Sequence, residues 1–209
     1  MIFLFCSTVS ASAKTDNDLT AWTYVHLTIP LGDDFAFRTT VSPRLKDNLD
    51  EWDVMLLRNV VNYRYNQNLE FDLAYDWFAI FNARNSSENR LWQQVTYRHQ
   101  FKQIEIAHRI RNEQRFFSDE DMIERIRYML RFTYPFGEKY RLKLADELFV
   151  NLNDNANRDF GPEQNRVYLG CERIINDKLS VEIAYQLQHM LQDADQLNHV
   201  VVLHFNIGL

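Results

Sequence analysis

The sequence predicts an all-β protein, an up-and-down antiparallel transmembrane β-barrel of ten to twelve strands. Three observations predict it. Segments of about ten to thirteen residues alternate apolar with polar side chains, which is the period of a strand and not of a helix. The links between segments are alternately short and long, as in a barrel whose two rims differ. The segments also match the roughly nine to eleven residues that cross a bilayer at about 45° tilt, where average soluble strands run about five to six.

Eleven segments carry the alternation, at residues 20–30, 35–45, 52–65, 69–81, 90–101, 103–115, 122–136, 140–151, 165–174, 178–190 and 199–209. Val25, Leu27 and Ile29 mark one face of the first. Arg38 and Arg44 mark the other face of the second, and Arg58 and Arg64 that of the third. In the fourth, Leu69, Phe71, Leu73, Tyr75 and Trp77 oppose Glu70, Asp72 and Asp76. The fifth carries Arg98. The sixth sets Ile104, Ile106 and Ile110 against Glu105, Arg109, Arg111, Glu113 and Arg115. The seventh has a helix-like composition over residues 117–131. Even so, Ile126, Tyr128, Leu130, Phe132 and Tyr134 alternate with Arg125, Arg127, Met129, Arg131 and Thr133, at 180° per residue. The eighth sets Leu142, Leu144 and Leu148 against Arg141, Lys143 and Glu147. Arg166 and Glu172 mark the ninth. The tenth alternates Leu179, Val181, Ile183, Tyr185 and Leu187 around Glu182, and the eleventh runs through Val201, Leu203, Phe205, Ile207 and Leu209.

Short links fall at residues 31–34, 66–68, 102, 136–139 and 176–177. Longer polar links fall at 46–51, 82–88, 116–121, 152–164 and 191–198. Alternation alone does not say which phase faces inward, since a soluble barrel and a membrane barrel place them oppositely. The membrane arrangement is favoured by the strand length and by aromatics set beside the short links: Phe35, Phe37, Tyr63, Tyr65, Phe71, Tyr97, Phe101, Tyr134, Phe136 and Tyr140. Trp52, Trp77, Phe81 and Phe149 are assigned to the opposite girdle. The final segment runs to Leu209 itself, the usual ending of a barrel wall, although an aromatic is more common there. Barrels of this kind usually have an even count with both termini on one side. Eleven segments therefore imply one further hidden strand or one segment outside the wall.

The composition bounds the partners. Net charge is −6 with a sequence pI near 5.5, which argues against nucleic acid. No window approaches 18 uncharged apolar residues, so a spanning helix is excluded while a barrel is not. Aromatics reach 14%. Residues 1–13 read as an export signal truncated of its usual basic start, with Ala11-Ser12-Ala13 as a small-x-small cleavage site ahead of Lys14. Residues 14–209 then form a single barrel domain, in which Cys171 stands without a disulfide partner. The expected location is the cell outer membrane, and the expected partners are its lipid and the barrel insertion machinery.

The chain resembles the bacterial family called domain of unknown function 2490. The likeness lies in Trp22-Thr23-Tyr24-Val25-His26-Leu27, the hairpin rhythm through residues 35–44, and the Asn-rich turn before Leu69-Glu70-Phe71. It continues in Arg109-Ile110-Arg111, in Ile126-Arg127-Tyr128, and in Glu147-Leu148-Phe149 with the long loop after it. The resemblance covers nearly the whole chain and implies an outer-membrane barrel with no assigned activity, so it carries over no catalytic residue.

The chemistry of the segments points to one constellation, a charge ladder inside the barrel formed by Glu105, Arg109, Arg111, Glu113, Arg125, Arg127, Arg131, Arg141, Glu147 and Glu172. Arginines on adjacent strands lie about 5 Å apart and must share carboxylates or repel. The structural reading, ion pairs bracing a narrow lumen, is preferred to an anion-attracting pore lining. No phosphate loop, zinc spacing or nucleophile elbow is present, and no catalytic residue, metal or cofactor is expected. The six histidines are spread singly along the sequence. His189 and His199 flank a loop with Asp193 and Asp195, but without the serine that a phospholipase or acyltransferase at the rim would need. The run Asn151, Asn153, Asp154, Asn155, Asn157 and Asp159 places side-chain oxygens like a calcium loop, yet lacks the central Gly and terminal Glu, and reads as a polar loop. The leading expectation is a structural or small-pore outer-membrane barrel. Its alternatives are a soluble periplasmic ligand-binding barrel and a lipid hydrolase or acyltransferase at the rim.

Overall fold

A computed structural model describes residues 19–81, 86–118, 120–192 and 196–209. The export segment expected over residues 1–13, with Cys6, and the loop residues Asp193 and Asp195 lie outside the described residues. The described residues hold eleven strands and no helix: β1 (Leu19–Pro30), β2 (Phe35–Lys46), β3 (Glu51–Arg64), β4 (Leu69–Ile80), β5 (Ser86–Phe101), β6 (Ile104–Phe117), β7 (Ile123–Phe136), β8 (Tyr140–Asn151), β9 (Gly161–Asn176), β10 (Leu179–Met190) and β11 (Gln196–Gly208).

All eleven strands belong to one closed barrel, each hydrogen-bonded to its sequence neighbours. The expectation of a hidden twelfth strand, or of a segment outside the wall, is therefore corrected. A meander reverses at every turn, so the first and eleventh strands run the same way and can close only in parallel. They do so over Leu19↔His199 to Thr28↔Gly208. Every other pair is antiparallel. A parallel ladder satisfies the same backbone groups as an antiparallel one at slightly lower stability, so parity alone does not oppose closure. One consequence is that Leu19 and Leu209 sit at opposite rims.

The strands also reach further than the alternation implied. β5 and β9 each run to 16 residues, which draws Glu88 and Glu163 out of the expected loops and into the wall. The links on the two rims differ less in length as a result. The tightest turns use left-handed backbone where needed, with Gly137 at φ 66° and Lys102 at φ 55°.

Closure decides which phase is inside. The apolar phase faces out: Leu73 is 59% exposed, Leu169 58% and Ile183 58%. Phe35, Tyr65, Phe71, Tyr97, Phe101, Tyr134, Phe136 and Tyr140 are exposed near the short turns, and Trp52, Trp77 and Phe81 at the other rim. Phe35 stacks on Tyr63 at 4.8 Å and Phe136 meets Tyr140 at 6.4 Å. Phe149 departs from the expected girdle. It is fully buried and points inward, because it shares the phase of Lys143 and Glu147 and not that of Leu148.

The charged phase fills the interior, with only small apolar clusters among it, such as Trp22, Ala184, Val200 and Val202. Long side chains fit because small ones lie across from them. Trp92 is paired with Ala74, and Arg131 lies between Ala107 and Ala145.

Candidate functional site

The interior holds a cavity of about 1040 Å³, whose lining runs from Gln100 and Gln103 near the short turns to Asn157 and Gln192 at the other rim. Arginines outnumber carboxylates along it. On the wall made by β5 to β9, the charges form a continuous alternating chain. Glu147 of β8 pairs with Arg109 and, at 2.7 Å, with Arg127. Arg127 pairs on its other side with Glu113 at 2.6 Å. Glu113 takes Arg125 at 2.5 Å, Arg125 reaches Glu163 at 2.5 Å, and Glu163 takes Arg115 at 3.0 Å. Arg115 and Arg90 then share Glu88, at 2.7 and 2.5 Å.

Register explains the order. Arg111 and Arg127 are direct cross-strand partners, a like-charge pair that is unfavourable unless a carboxylate lies between. Glu113, next along β6 on the same face and opposite Arg125, supplies it. Its carboxylate is completely buried and receives N–H groups from Arg125, Arg127 and, at 3.4 Å, Arg111. Aromatic faces support the guanidinium groups from behind. Trp92 lies 3.8 Å from the Arg111 Cζ, and Phe149 lies 4.2 Å from that of Arg127. Beside this chain, Asp76 accepts two hydrogen bonds from Arg58 and one from the Trp92 indole.

The structure thus brings together Arg109, Arg111, Glu113, Arg125, Arg127 and Glu147. Glu172 stands apart, bound by Lys143 at 3.0 Å and by the half-exposed Arg141 at 3.6 Å. Glu105 and Arg131 line the cavity but form no ion pair among the described residues, which corrects the expectation that Glu105 shares the arginines. Glu105 lies at the short-turn end of β6, opposite Thr133, too far down the strand from the arginine layer. Glu88, Arg90, Arg115 and Glu163 are the members that the ladder read from sequence left out. For Glu88 and Glu163 the signal was continued alternation into segments whose Asn, Ser and Pro content looked like loop, whereas Arg90 and Arg115 stood at the ends of segments already read as strands.

The polar loop at residues 152–160 spends its amides on its neighbours. Asn153 accepts from the Glu124 amide and donates to the Met122 carbonyl, and Asn155 donates to the Asp121 carbonyl. Arg158 from this loop leans over the cavity and pairs with Glu120.

The histidines are isolated in sequence but not in space. At the parallel seam, His26 Nε2 lies 3.0 Å from His204 Nδ1, and Tyr24 stacks on His204 at 4.7 Å. On the outer face, His99 stacks on His108 at 5.5 Å. His189 and His199 share the outward phase of β10 and β11, with His199 Nδ1 2.5 Å from the Tyr185 hydroxyl.

On β9 and β10 the lumen is packed to contact. Tyr168 donates to Glu182 at 2.5 Å, beside Gly170. A Cβ at Gly170 would lie 2.6 Å from Glu182 Oε1, 2.9 Å from the Tyr168 ring and 3.1 Å from Ala184 Cβ. Gly170→Ala is therefore expected to displace that pair and to cost about 1–3 kcal/mol, read as a lower midpoint of urea unfolding. An unchanged midpoint would mean that the pair moves aside freely.

A family model described as "Protein of unknown function (DUF2490)" matches residues 19–199. An uncharacterized protein of Methylorubrum extorquens is 29% identical, over 96% of this chain and 92% of its own length. Among solved structures, a loop L8 deletion mutant of OmpT, an outer membrane protein of Vibrio cholerae, aligns with a TM-score of 0.43 at 12% identity, covering 85% of each chain.

Proposed function

The chain belongs to the family described as "Protein of unknown function (DUF2490)", and from that premise we propose an outer-membrane β-barrel with a structural or small-pore role and no catalytic centre. The observation that carries this reading is the inversion of the two faces. A barrel in water would hide the apolar phase and expose the charges, whereas here Leu73, Leu169 and Ile183 stand outward while Glu113 and its arginines are buried. Such an exterior far exceeds the apolar patch that a soluble monomer tolerates. Lipid covers it at no cost, and closure leaves no strand edge unpaired in the bilayer. Lipid of the outer membrane and the barrel insertion machinery are then its partners.

The alternating ion-pair chain supports bracing as the role of the lumen. It joins β5, β6, β7, β8 and β9 by side chains as well as by the backbone ladder, and it narrows the lumen from that wall.

Fractionation tests the reading. The protein is expected to stay with membranes in alkaline carbonate, and to migrate faster on a gel before boiling than after. Release into the soluble fraction would instead support a periplasmic ligand-binding barrel. In planar bilayers, low and intermittent conductance is expected, and steady anion-selective channels would make the charge layer a wetted pore lining.

A further inference from the structure

The lumen has two unlike walls. On β5 to β9 nearly every guanidinium of the layer has a carboxylate. On the wall made by β2, β1, β11, β10 and β9, several buried donors lack acceptors. Arg44 and Arg166 form no ion pair among the described residues, and both flank one indole, with Cζ atoms 3.9 and 5.3 Å from the centre of the Trp22 ring. The Trp22 Nε1, the Arg44 Nε and the Nε2 atoms of Gln186 and Gln188 are buried and have no hydrogen-bond partner among the described residues. Trp22 is 6% exposed, Gln186 8% and Gln188 5%. Arg44 donates only to the Tyr24 hydroxyl, at 3.3 Å, and Arg166 to Gln164 Oε1, at 3.1 Å.

Register sets two pairs, and the Trp22 ring joins them into one site. Arg44 is the cross-strand partner of Trp22, and Gln188 that of Arg166. All of them line the same cavity. An amide can turn its oxygen inward, but an indole N–H and a guanidinium can only donate, so the deficit of acceptors belongs to Trp22 and the two arginines whatever the amides do. Buried donors left unmade are costly; Arg44 has no carboxylate across from it on either neighbouring strand, and Glu147, which faces Arg166 across β8 and β9, is already paired with Arg109 and Arg127. The geometry points to an oxyanion site here, between Arg44 and Arg166 with the Trp22 N–H, taking a phosphate group carried by a solute in water.

Phosphate fits better than carboxylate. The donors number more than the two oxygens of a carboxylate can accept, and arginine forks match phosphate bidentately. The solute source follows from position, since the site opens to the lumen and is screened from lipid by the wall. The inference goes beyond the bracing role, because it holds whether or not the lumen conducts.

The full chain, folded in detergent micelles, is titrated with inorganic phosphate at constant ionic strength, with chloride as the replaced anion. Saturable binding is expected by calorimetry, with a change in tryptophan fluorescence that Trp22→Phe removes. Arg44→Gln is expected to weaken binding at least tenfold, and Arg98→Gln, paired with Glu70 near the other rim, to leave it unchanged. Should Arg44→Gln fail the gel test of folding, Arg166→Gln carries the same comparison. Acetate is expected to bind at least fivefold more weakly than phosphate. No saturable binding in the wild type, or equal affinity in the Arg44 and Arg166 variants, would overturn the site. Equal binding of acetate would overturn the phosphate preference. Short-chain phosphatidate binding tenfold tighter than inorganic phosphate would overturn the solute source and place it in lipid.

Discussion

Glu113→Ala is expected to lower the stability of the folded barrel by about 3–5 kcal/mol, the range measured when one partner of a buried ion pair is removed and the other is left uncompensated. Three guanidinium groups depend on this carboxylate, those of Arg111, Arg125 and Arg127. Arg111 and Arg127 face each other directly across β6 and β7, so its loss exposes their repulsion as well. Glu147→Ala should cost less. Arg127 would keep Glu113, and Arg109 would lose the one ion-pair partner it has among the described residues. Both should exceed Leu148→Ala on the outer face, where lipid tails pack against either side chain. The comparison is made by urea unfolding in vesicles. A loss under about 1 kcal/mol for Glu113→Ala would mean that water reaches the layer and screens it, since exposed pairs contribute about that much or less. Arg125→Ala in the Glu113→Ala background should then restore part of the loss, because the two residues couple directly.

Ile183→Arg is expected to destabilise the barrel by about 2–4 kcal/mol, the cost of an arginine on the lipid face at the bilayer midplane. Ile183 is 58% exposed and sits within β10, flanked by Leu203 and Cys171 on the adjacent strands. The same substitution at an exposed position in water changes stability by about 0.5 kcal/mol or less. The result therefore separates the two environments of the outer face with one residue. A change within that smaller range would place the apolar exterior in water and overturn the outer-membrane reading. Ile183→Leu, which keeps the surface apolar, is the control for local packing.

Much of this architecture is legible in residue order because side chains alternate faces along a strand with a period that nothing else in the chain imitates. Leu69, Phe71, Leu73, Tyr75 and Trp77 against Glu70, Asp72 and Asp76 identify a strand and its two faces without any contact being known. The same alternation names most of the inner charges, Arg109 to Glu113 and Arg125 to Arg131 among them. It does not say which carboxylate serves which arginine. That depends on register across strands far apart in sequence: Arg125 meets Glu163, and Arg115 meets both Glu88 and Glu163, only because β5 and β9 extend past their polar, loop-like beginnings.

Closure was equally hidden. Local alternation is blind to strand parity, so the parallel β1–β11 seam, the meeting of His26 with His204, and the donor-rich wall at Trp22 exist only once the sheet is wrapped on itself. The physical reason is one of range. Which face a side chain takes is set by its own backbone, whereas which charge it meets is set by hydrogen-bond register and by the curvature of the whole wall.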